Sequence, residues 1–273
     1  YANGGDDTLF IGLQAQAAGV RTIELSGTDG DVKAVDATVD LTITNAGNGS
    51  DNDIWAGQGN DTITDLGGDS SLFGGDGNDT LTGGEGADHL IGGAGADFFS
   101  VADTHNAADA RELTRIRDFT VADSDKIGSF GITDIIQGTV GDLISAGDAT
   151  TIAASEAISL TTLTGETNMT DSSGNVLVAS STTAFTTTTV DTALETGGSL
   201  AVTFNNAVAA NDGFILIYDN NVDTFIASVT TGANIADNAE AAATNLTVEN
   251  LVRLDGISDA TSITAAQLSA FAA

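Results

Sequence analysis

The feature that most constrains this chain is a nine-residue repeat that runs without insertion from Gly47 to Ser100. Its six units read GNGSDNDIW, AGQGNDTIT, DLGGDSSLF, GGDGNDTLT, GGEGADHLI and GGAGADFFS. The last three match G-G-x-G-x-D-x-U-x, where U is apolar, at every specified position, and all six units keep an apolar eighth residue. The alternative is a flexible linker rich in Gly and Asp, but a linker has no reason to keep an apolar residue at every ninth position. The period therefore predicts stacked structural repeats.

The spacing within each unit predicts a six-residue turn followed by a three-residue strand. Glycine permits the positive φ angles and close packing that such turns need, and the apolar eighth residue points into a thin core between two sheets. Two units make one coil, so the six units of the block supply three coils. Neighbouring strands lie about 4.8 Å apart, so aspartates of successive coils converge, which suits a hard cation with oxygen ligands. We therefore expect an all-β fold, a parallel β-roll or β-solenoid with metal-binding turns, flanked by further β-rich regions and short helices.

The charge of the chain supports a bound cation and excludes several classes of protein. Seven basic and 39 acidic residues give a net charge of −32, and the repeat block holds ten acids but no Lys or Arg. Such a run of acids would repel itself unless cations bind there. So few basic residues argue against binding to nucleic acid or to an anionic membrane face. The absence of Cys excludes disulfides and thiolate-ligated metals, and the longest apolar run, Phe214–Tyr218, is too short to span a membrane.

These units resemble the RTX family, the hemolysin-type calcium-binding repeats of Gram-negative secreted proteins. Two further segments carry the resemblance. Ile116-x-Asp118-Phe119, followed by Asp125-Lys126-Ile127, is similar to the strand that closes RTX β-rolls in serralysin-type proteases and surface-layer proteins. The stretches 252–257 and 262–268 resemble the uncleaved C-terminal signal of RTX proteins exported by type I secretion. The resemblance implies calcium as the bound ion and a fold that is disordered at cytosolic calcium and forms outside the cell.

The register of the units decides which side of the roll is better equipped for calcium. Units one coil apart stack on the same side, so the sixth residues of one side are Asp61, Asp79 and Asp97, whereas the other side has Asn52, Ser70 and Asp88. The resemblance then implies two full sites on the first side. Their ligands would be Gly57, Gly59 and Asp61 with Gly74, Asp76 and Asp79, and Gly75, Gly77 and Asp79 with Gly92, Ala94 and Asp97. It also implies Asp118 as an added carboxylate at the last coil and a weaker site on the second side, around Gly68, Asp88 and Asp69.

The flanking sequence divides into four further segments. We expect 1–46 to form β-solenoid coils with one degenerate repeat, 47–100 the calcium-binding roll, 101–140 its cap and closing strand, 141–211 a Thr/Ala-rich β region, and 212–273 a β-hairpin, a helix and the secretion signal. Leu41 follows Ile23 by two nine-residue lengths, which is one coil and supports solenoid coils over 11–46. A separate β domain is the alternative for that segment.

Local patterns predict the elements outside the repeat. Thr-rich runs such as Thr186–Thr189 favour strands, and Asp109–Leu113 fits a short capping helix. Phe214–Asp219 and Thr224–Val229 are expected to form a hairpin around Asn220-Asn221, followed by an Ala-rich helix over 233–246.

Two functional classes fit these features. The first is a calcium-binding structural protein of a bacterial surface, a surface-layer or filament subunit that is secreted and assembles with copies of itself. The second is the secretion and folding tail of an exported enzyme, toxin or adhesin whose active domain lies upstream. No H-E-x-x-H, G-x-S-x-G or P-loop motif is present, so we expect no catalytic activity here. The expected partners are the type I secretion machinery and a cell-surface polysaccharide, with no nucleic acid and no membrane insertion.

Overall fold

The computed structural model describes residues 7–25, 30–46, 51–101, 113–128, 160–163, 167–169, 176–195, 198–204, 213–233, 239–240 and 246–268. The chain divides into two compact units, Tyr1–Phe130 and Gly131–Ala273. All of the nine-residue repeats lie in the first unit.

The first unit is a parallel β-solenoid. Its strands, in chain order, are β1 (Asp7–Phe10), β2 (Thr22–Leu25), β3 (Gly30–Lys33), β4 (Thr42–Asn45), β5 (Asp53–Gln58), β6 (Thr62–Asp65), β7 (Ser71–Asp76), β8 (Thr80–Thr82), β9 (His89–Ala94), β10 (Phe98–Ser100), β11 (Thr114–Ile116) and β12 (Lys126–Gly128). A five-residue helix, α1 (Leu13–Ala17), joins β1 to β2. Odd-numbered strands stack in order as sheet 1 and even-numbered strands as sheet 2, and the strand pairs within each sheet are parallel.

The register of the repeat strands confirms that two units make one coil. In sheet 1, Asp53 pairs with Ser71 and Ser71 with His89, and in sheet 2, Thr62 pairs with Thr80. The eighth residues of all six units are 0% exposed and form the predicted core between the two sheets: Ile54, Ile63, Leu72, Leu81, Leu90 and Phe99.

The coils before the repeat are longer than the sequence predicts. In sheet 2, Ile23 pairs with Ile43 and Ile43 with Ile63, a step of 20 residues in place of 18, and in sheet 1 Val32 pairs with Ile54, a step of 22. The expected pairing of Ile23 with Leu41 is wrong because the turn before β4 extends through Leu41. The Leu41 N–H donates to the Asp61 carboxylate at 2.7 Å instead of joining the strand ladder, and its side chain is buried.

The segment after the repeat adds one strand to each sheet. β11 pairs with β9, and β12 pairs with β10. A 3-10 turn, Val121–Asp123, lies between them. Phe119 packs against Phe99, with ring centroids 6.2 Å apart, so this segment covers the last core layer. The predicted capping helix at 109–113 falls outside the described residues except for Leu113.

In the residues that the structure describes, the second unit combines two sheets with one α-helix and two 3-10 turns, Ala260–Ser262 and Ala265–Gln267. Its strands are β13 (Leu160–Leu163), β14 (Thr167–Met169), β15 (Val176–Ala179), β16 (Val202–Phe204), β17 (Gly213–Asp219), β18 (Thr224–Thr231), β19 (Ala239–Glu240) and β20 (Leu246–Leu254), and α2 (Thr187–Leu194) follows β15. One sheet has the order β13-β15-β17-β18-β20 and the other β14-β16-β19. β17 and β18 form the hairpin expected from the sequence, with Asp219 opposite Thr224.

Two local predictions for this unit are wrong. The threonine run at 186–189 begins helix α2, because Thr186 and Thr189 form a reciprocal capping box that satisfies amides of the first turn. The helix expected over 233–246 is absent at Ala239–Glu240, where the chain pairs antiparallel with β16. Sheet pairing overrides the helical preference of alanine there, and residues 234–238 and 241–245 lie outside the described residues. Among the described helices, none has the length and apolar character needed to cross a bilayer.

Candidate metal centre

Two sets of turns connect the sheets of the solenoid. The ladder turns, Ala56–Asp61, Gly74–Asp79 and Gly92–Asp97, lead from sheet 1 into sheet 2. The return turns, Asp65–Ser70 and Gly83–Asp88, lead from sheet 2 back to sheet 1.

The ladder turns stack so closely that glycine is required in them. Gly75 has φ +118°, and a Cβ at this position would overlap the carbonyl oxygen of Gly57 in the coil before it. Gly77 has φ +132°, and a Cβ there would overlap the carbonyl oxygen of Gly59. The carbonyl oxygens of Gly57 and Gly59 therefore lie directly at the interface with the next coil, which is where the predicted sites require them.

Each sixth-position aspartate fastens its coil to the preceding one. Oδ1 of Asp79 accepts from the Asp61 N–H at 2.7 Å, and Oδ1 of Asp97 accepts from the Asp79 N–H at 2.8 Å. Asp61 does the same for Leu41. The three carboxylates that the register placed on one side thus form one continuous column in the structure.

The second oxygen, Oδ2, of these carboxylates does not share in the bonds between coils. Oδ2 of Asp61 and Oδ2 of Asp79 are buried without a hydrogen-bond partner, and both residues are 1% exposed. Oδ2 of Asp79 lies against Gly74, the first residue of its own turn, where a Cβ would overlap it. Oδ2 of Asp97 lies against Gly92 in the same way. Buried carboxylate oxygens without donors are unfavourable unless a cation compensates them.

Burial makes these carboxylates unusually basic in the metal-free coil. It raises the pKa of the Asp79 carboxyl to about 7, an effect that the Asp61 N–H opposes and the charges of Asp61 and Asp97 reinforce. Burial likewise raises the pKa values of Asp61 and Asp97 to about 6. A bound cation would favour the ionised forms.

The predicted ligands of the ladder turns fit a hard cation that takes oxygen ligands. Such an ion would supply positive charge to the carboxylates of two successive turns and to the turn carbonyls beside them. The carbonyls of Asp76 and Ala94 each accept one backbone hydrogen bond, from Gly59 N at 2.8 Å and Gly77 N at 2.7 Å, which leaves a second lone pair on each oxygen. No group of three or more metal-binding side chains occurs in the part of the chain that the structure describes.

Of the two return turns, Asp65–Ser70 departs from the ladder pattern, whereas Gly83–Asp88 keeps it, with positive φ at Gly84 and Gly86 and Oδ2 of Asp88 against Gly83. Asp88 is buried, and its Oδ1 accepts from the Ser70 N–H at 2.9 Å. The sixth-position residues on this side, Asn52, Ser70 and Asp88, therefore form a column that is only partly acidic. Gly68 keeps φ +92°, but Leu66, in the second position, does not adopt a positive φ. The Asp69 side chain accepts from the Ala87 N–H at 2.9 Å on the exposed edge of the turn. The structure thus brings Gly68 and Asp88 to the side predicted for the weaker site, with Asp69 at its rim.

Asp118 lies at the last coil, where both of its oxygens are engaged. They accept from the N–H groups of Gly92 and Gly93, at 3.0 and 2.8 Å. The residue that continues the carboxylate column is instead Asp125, whose Oδ1 accepts from Asp97 N at 3.0 Å and whose Oδ2 accepts from Thr120 N at 2.8 Å. The signal for this role is present in the sequence, because Asp125-Lys126-Ile127 repeats the D-x-U pattern of the units.

Comparison with known proteins agrees with the repeat and with the bound ion. A family model described as the RTX calcium-binding nonapeptide repeat, in four copies, matches residues 46–69 and 66–99. RTX nonapeptide repeats bind calcium ions, so the cation that the ladder turns fit is calcium. No curated protein and no solved structure matches the chain.

Proposed function

We propose that this chain, in which residues 46–99 are RTX calcium-binding nonapeptide repeats, is an extracellular structural protein of a bacterial cell surface. In this proposal it is a surface-layer or filament subunit that folds and assembles on calcium after export by type I secretion. It has no catalytic activity of its own.

The column of buried carboxylates is the observation that carries this proposal. Oδ2 of Asp61 and of Asp79 is removed from water without a donor, so the metal-free roll bears an electrostatic cost that calcium relieves. Because the ligands converge only in the coil, the free energy of calcium binding contributes directly to folding. At cytosolic calcium the repeats remain unfolded and fit a secretion channel, and at the millimolar calcium outside the cell they fold.

Composition supports a structural role outside the cell. The chain has 39 acids, seven basic residues and no Cys, which suits an extracellular protein that meets divalent cations. The closing segment covers one end of the solenoid, and the other end, at β1 and β2, needs a cap or a neighbour, which favours assembly with further copies. A cell-surface polysaccharide is the other partner that we propose, with no nucleic acid and no membrane insertion.

The alternative is that this chain is the secretion and folding tail of an exported enzyme, toxin or adhesin. The repeat itself supports this alternative equally, since calcium-driven folding after export serves any exported domain. The sequence upstream of residue 1 separates the two, because a metalloprotease or lipase motif there would exclude the scaffold.

The experiment follows the protein on cells and in solution. Intact cells are washed with chelator, and the protein is then followed by antibody in the wash and on the cell surface. We expect release into the wash and a loss of β signal in circular dichroism, both reversed by millimolar calcium, together with larger species in sedimentation when calcium returns. Protein found only inside the cell, or a β signal unchanged in chelator, would contradict the proposal.

A further inference from the structure

Two buried carboxylates of the repeat block lie outside the ladder column, Asp88 at the sixth position of its unit and Asp65 at the first position. Asp65 is the first residue of a return turn, where the three perfect units have Gly, and it is 0% exposed. In the same unit, the sixth position holds Ser70 in place of Asp. This unit therefore keeps a carboxylate but carries it at position one instead of position six.

Four groups donate hydrogen bonds to the Asp65 carboxylate. The Ser70 hydroxyl and the Asn52 Nδ2 donate to Oδ2, at 2.8 and 3.0 Å. The Asn45 Nδ2 and the Gly67 N–H donate to Oδ1, at 2.9 and 3.3 Å. The three donor side chains are also buried, at no more than 2% exposed. Burial raises the pKa of the Asp65 carboxyl, and these four donors oppose that rise, so the buried carboxylate is compensated within the protein.

The donors of this cluster are fixed in direction. Oδ1 of Asn52 accepts from the Gly30 N–H at 2.9 Å, which leaves the Asn52 Nδ2 facing Asp65. The Ser70 Oγ accepts from the Asn52 N–H at 3.0 Å, so its own hydrogen points at Asp65. Neither group can turn an oxygen toward Asp65 Oδ2 without losing a hydrogen bond.

The roles of donor and acceptor at this junction are the reverse of those in the ladder turns. Asn52 and Ser70 are the sixth-position residues of two successive turns on this side, as Asp61 and Asp79 are on the other side. Ionised Asp61 and Asp79 only accept hydrogen bonds and so suit a cation between turns. Asn52 and Ser70 instead direct donors at a central anion.

We propose that Asp65 takes the place of a calcium ion at the junction between the turn that ends at Asn52 and the turn Asp65–Ser70, so that this junction closes without metal. The junction lies at the start of the repeat block, next to the coils that have no calcium turn. It therefore supplies a formed coil on which the calcium-dependent coils stack, in keeping with the neighbour-by-neighbour stability of solenoids. This inference goes beyond the surface role and does not depend on it.

Counting bound calcium by native mass spectrometry tests the substitution. Asp65→Asn keeps the shape of the side chain but turns an N–H₂ toward the donors, and we expect the same calcium count as in the unaltered chain. The matched variant Asp79→Asn, in the ladder turns, should bind fewer ions. A second variant, Asp65→Gly with Ser70→Asp, returns the carboxylate to position six and should bind at least one more ion than the unaltered chain.

A lower count specific to Asp65→Asn, or no gain in the double variant, would overturn the proposal. If Asp65→Asn fails to fold, hydrogen exchange on the unaltered chain decides. The Asn52 amide reports this junction and should become protected at lower calcium than the Asp61 and Asp79 amides. Protection of Asn52 at the same or higher calcium would overturn the proposal. A chain that binds no calcium at all would overturn both this inference and the proposed function.

Discussion

Each ladder aspartate divides its two oxygens between two tasks. Oδ1 of Asp79 accepts from the backbone of the preceding coil, whereas Oδ2 points into its own turn without a donor. The first oxygen links the coils whether or not metal is bound, and the second gains a partner only when a cation arrives. A single side chain therefore couples the stacking of coils to the binding of calcium.

The variant Asp79→Asn separates these two tasks. The oxygen of the new amide can still accept from Asp61 N, but the buried negative charge at the centre of the column is lost. We expect calcium affinity to fall at least about tenfold, which corresponds to about 1.4 kcal/mol, measured by isothermal titration. Asp36→Asn is the control. It removes an exposed carboxylate of the solenoid outside the nine-residue repeats and should bind calcium like the unaltered chain. Equal losses in both variants would mean that net charge alone governs binding.

The raised pKa values of Asp61, Asp79 and Asp97 predict opposite pH effects with and without calcium. Their folded-state pKa values of about 6, 7 and 6 lie above the ordinary 3.8. Without metal, the stability that these groups contribute is therefore fully present below about pH 4 and is lost as the pH rises through 6 to 7. With calcium, protons compete for the same oxygens, so affinity should fall as the pH drops below about 7.

Circular dichroism at pH 5 and pH 8, in chelator and in calcium, checks both directions of the pH effect. In chelator the roll should be unfolded at pH 8 and should gain β signal as the pH is lowered to 5, whereas the calcium titration midpoint should be lower at pH 8. The triple variant Asp61→Asn, Asp79→Asn, Asp97→Asn should show a much smaller pH effect in chelator. A chelated roll that is more stable at pH 8 would show that other groups dominate.

At the scale of elements, two side-chain columns run along the ladder turns in opposite directions. Sixth-position carboxylates reach back to the preceding coil, while fifth-position residues reach forward. The side chain of Asn60 accepts from Asn78 N, and that of Asn78 accepts from Ala96 N, both at 2.8 Å. The forward column ends at Ala96, whose side chain has no acceptor, so the closing segment must satisfy the last coil by other means.

The other column, that of the sixth-position carboxylates, ends at Asp125. Asp125→Ala would leave the N–H groups of Asp97 and Thr120 without their acceptors, and each unsatisfied buried group costs about 1–3 kcal/mol. We expect a lower melting temperature in saturating calcium and faster hydrogen exchange at 97–100. Asp123→Ala, two residues earlier and exposed, should leave both unchanged. If the two variants behave alike, the closing turn is held by packing, such as Phe119 on Phe99, and not by the carboxylate.

The close stacking of ladder turns predicts a large effect of Gly75→Ala. A residue with a Cβ loses about 1–2 kcal/mol in the left-handed region, and here the Cβ would also overlap the Gly57 carbonyl. Gly256 has φ +79° with nothing within 4 Å of a Cβ, so Gly256→Ala isolates the cost of φ alone. In denaturant unfolding that follows each of the two compact units separately, Gly75→Ala should lower the free energy of unfolding clearly more than Gly256→Ala does. Similar losses would contradict the tight approach of the coils.

The parts of the fold that can be predicted from the sequence are those that the nine-residue repeat determines. The buried eighth residues, the two-unit coil and the Asp61–Asp79–Asp97 column all follow from a strict nine-residue phase. The longer coils before the repeat do not, because the turn before Leu41 has no repeated residue types. The role of Asp65 depends on Asn45 and Asn52, which lie 20 and 13 residues away in sequence, so within its own unit it is only a departure from the pattern. The helix at Thr187–Leu194 depends on capping by Thr186, which strand propensity does not register.

At the scale of the whole molecule, the two units are stabilised in different ways. The first contains every calcium repeat and relies on ladder turns in which Oδ2 of Asp61 and of Asp79 lacks a hydrogen-bond donor, whereas the hairpin of the second is a long antiparallel pair with a buried strand β17. In the second unit, the buried Asp219 is satisfied within the protein, by Asn221 N at 3.1 Å and Ala260 N at 3.1 Å. Asp223 is likewise satisfied by Arg253 at 2.7 Å. Calcium should therefore matter to one unit and not to the other.

Removal of calcium should unfold the first unit and leave the second intact. Hydrogen exchange followed by mass spectrometry, in chelator and in millimolar calcium, compares peptides from 71–100 with peptides from 213–231 and 246–254. The repeat peptides should be protected only in calcium, because their fold requires a cation to compensate the column. The hairpin peptides should be protected in both conditions, since the buried carboxylates of Asp219 and Asp223 have partners within the protein, and they serve as the internal control for chelator effects. Loss of protection in both sets would mean that the second unit folds only on a calcium-formed first unit, and protection of both sets in chelator would refute calcium-dependent folding of the roll.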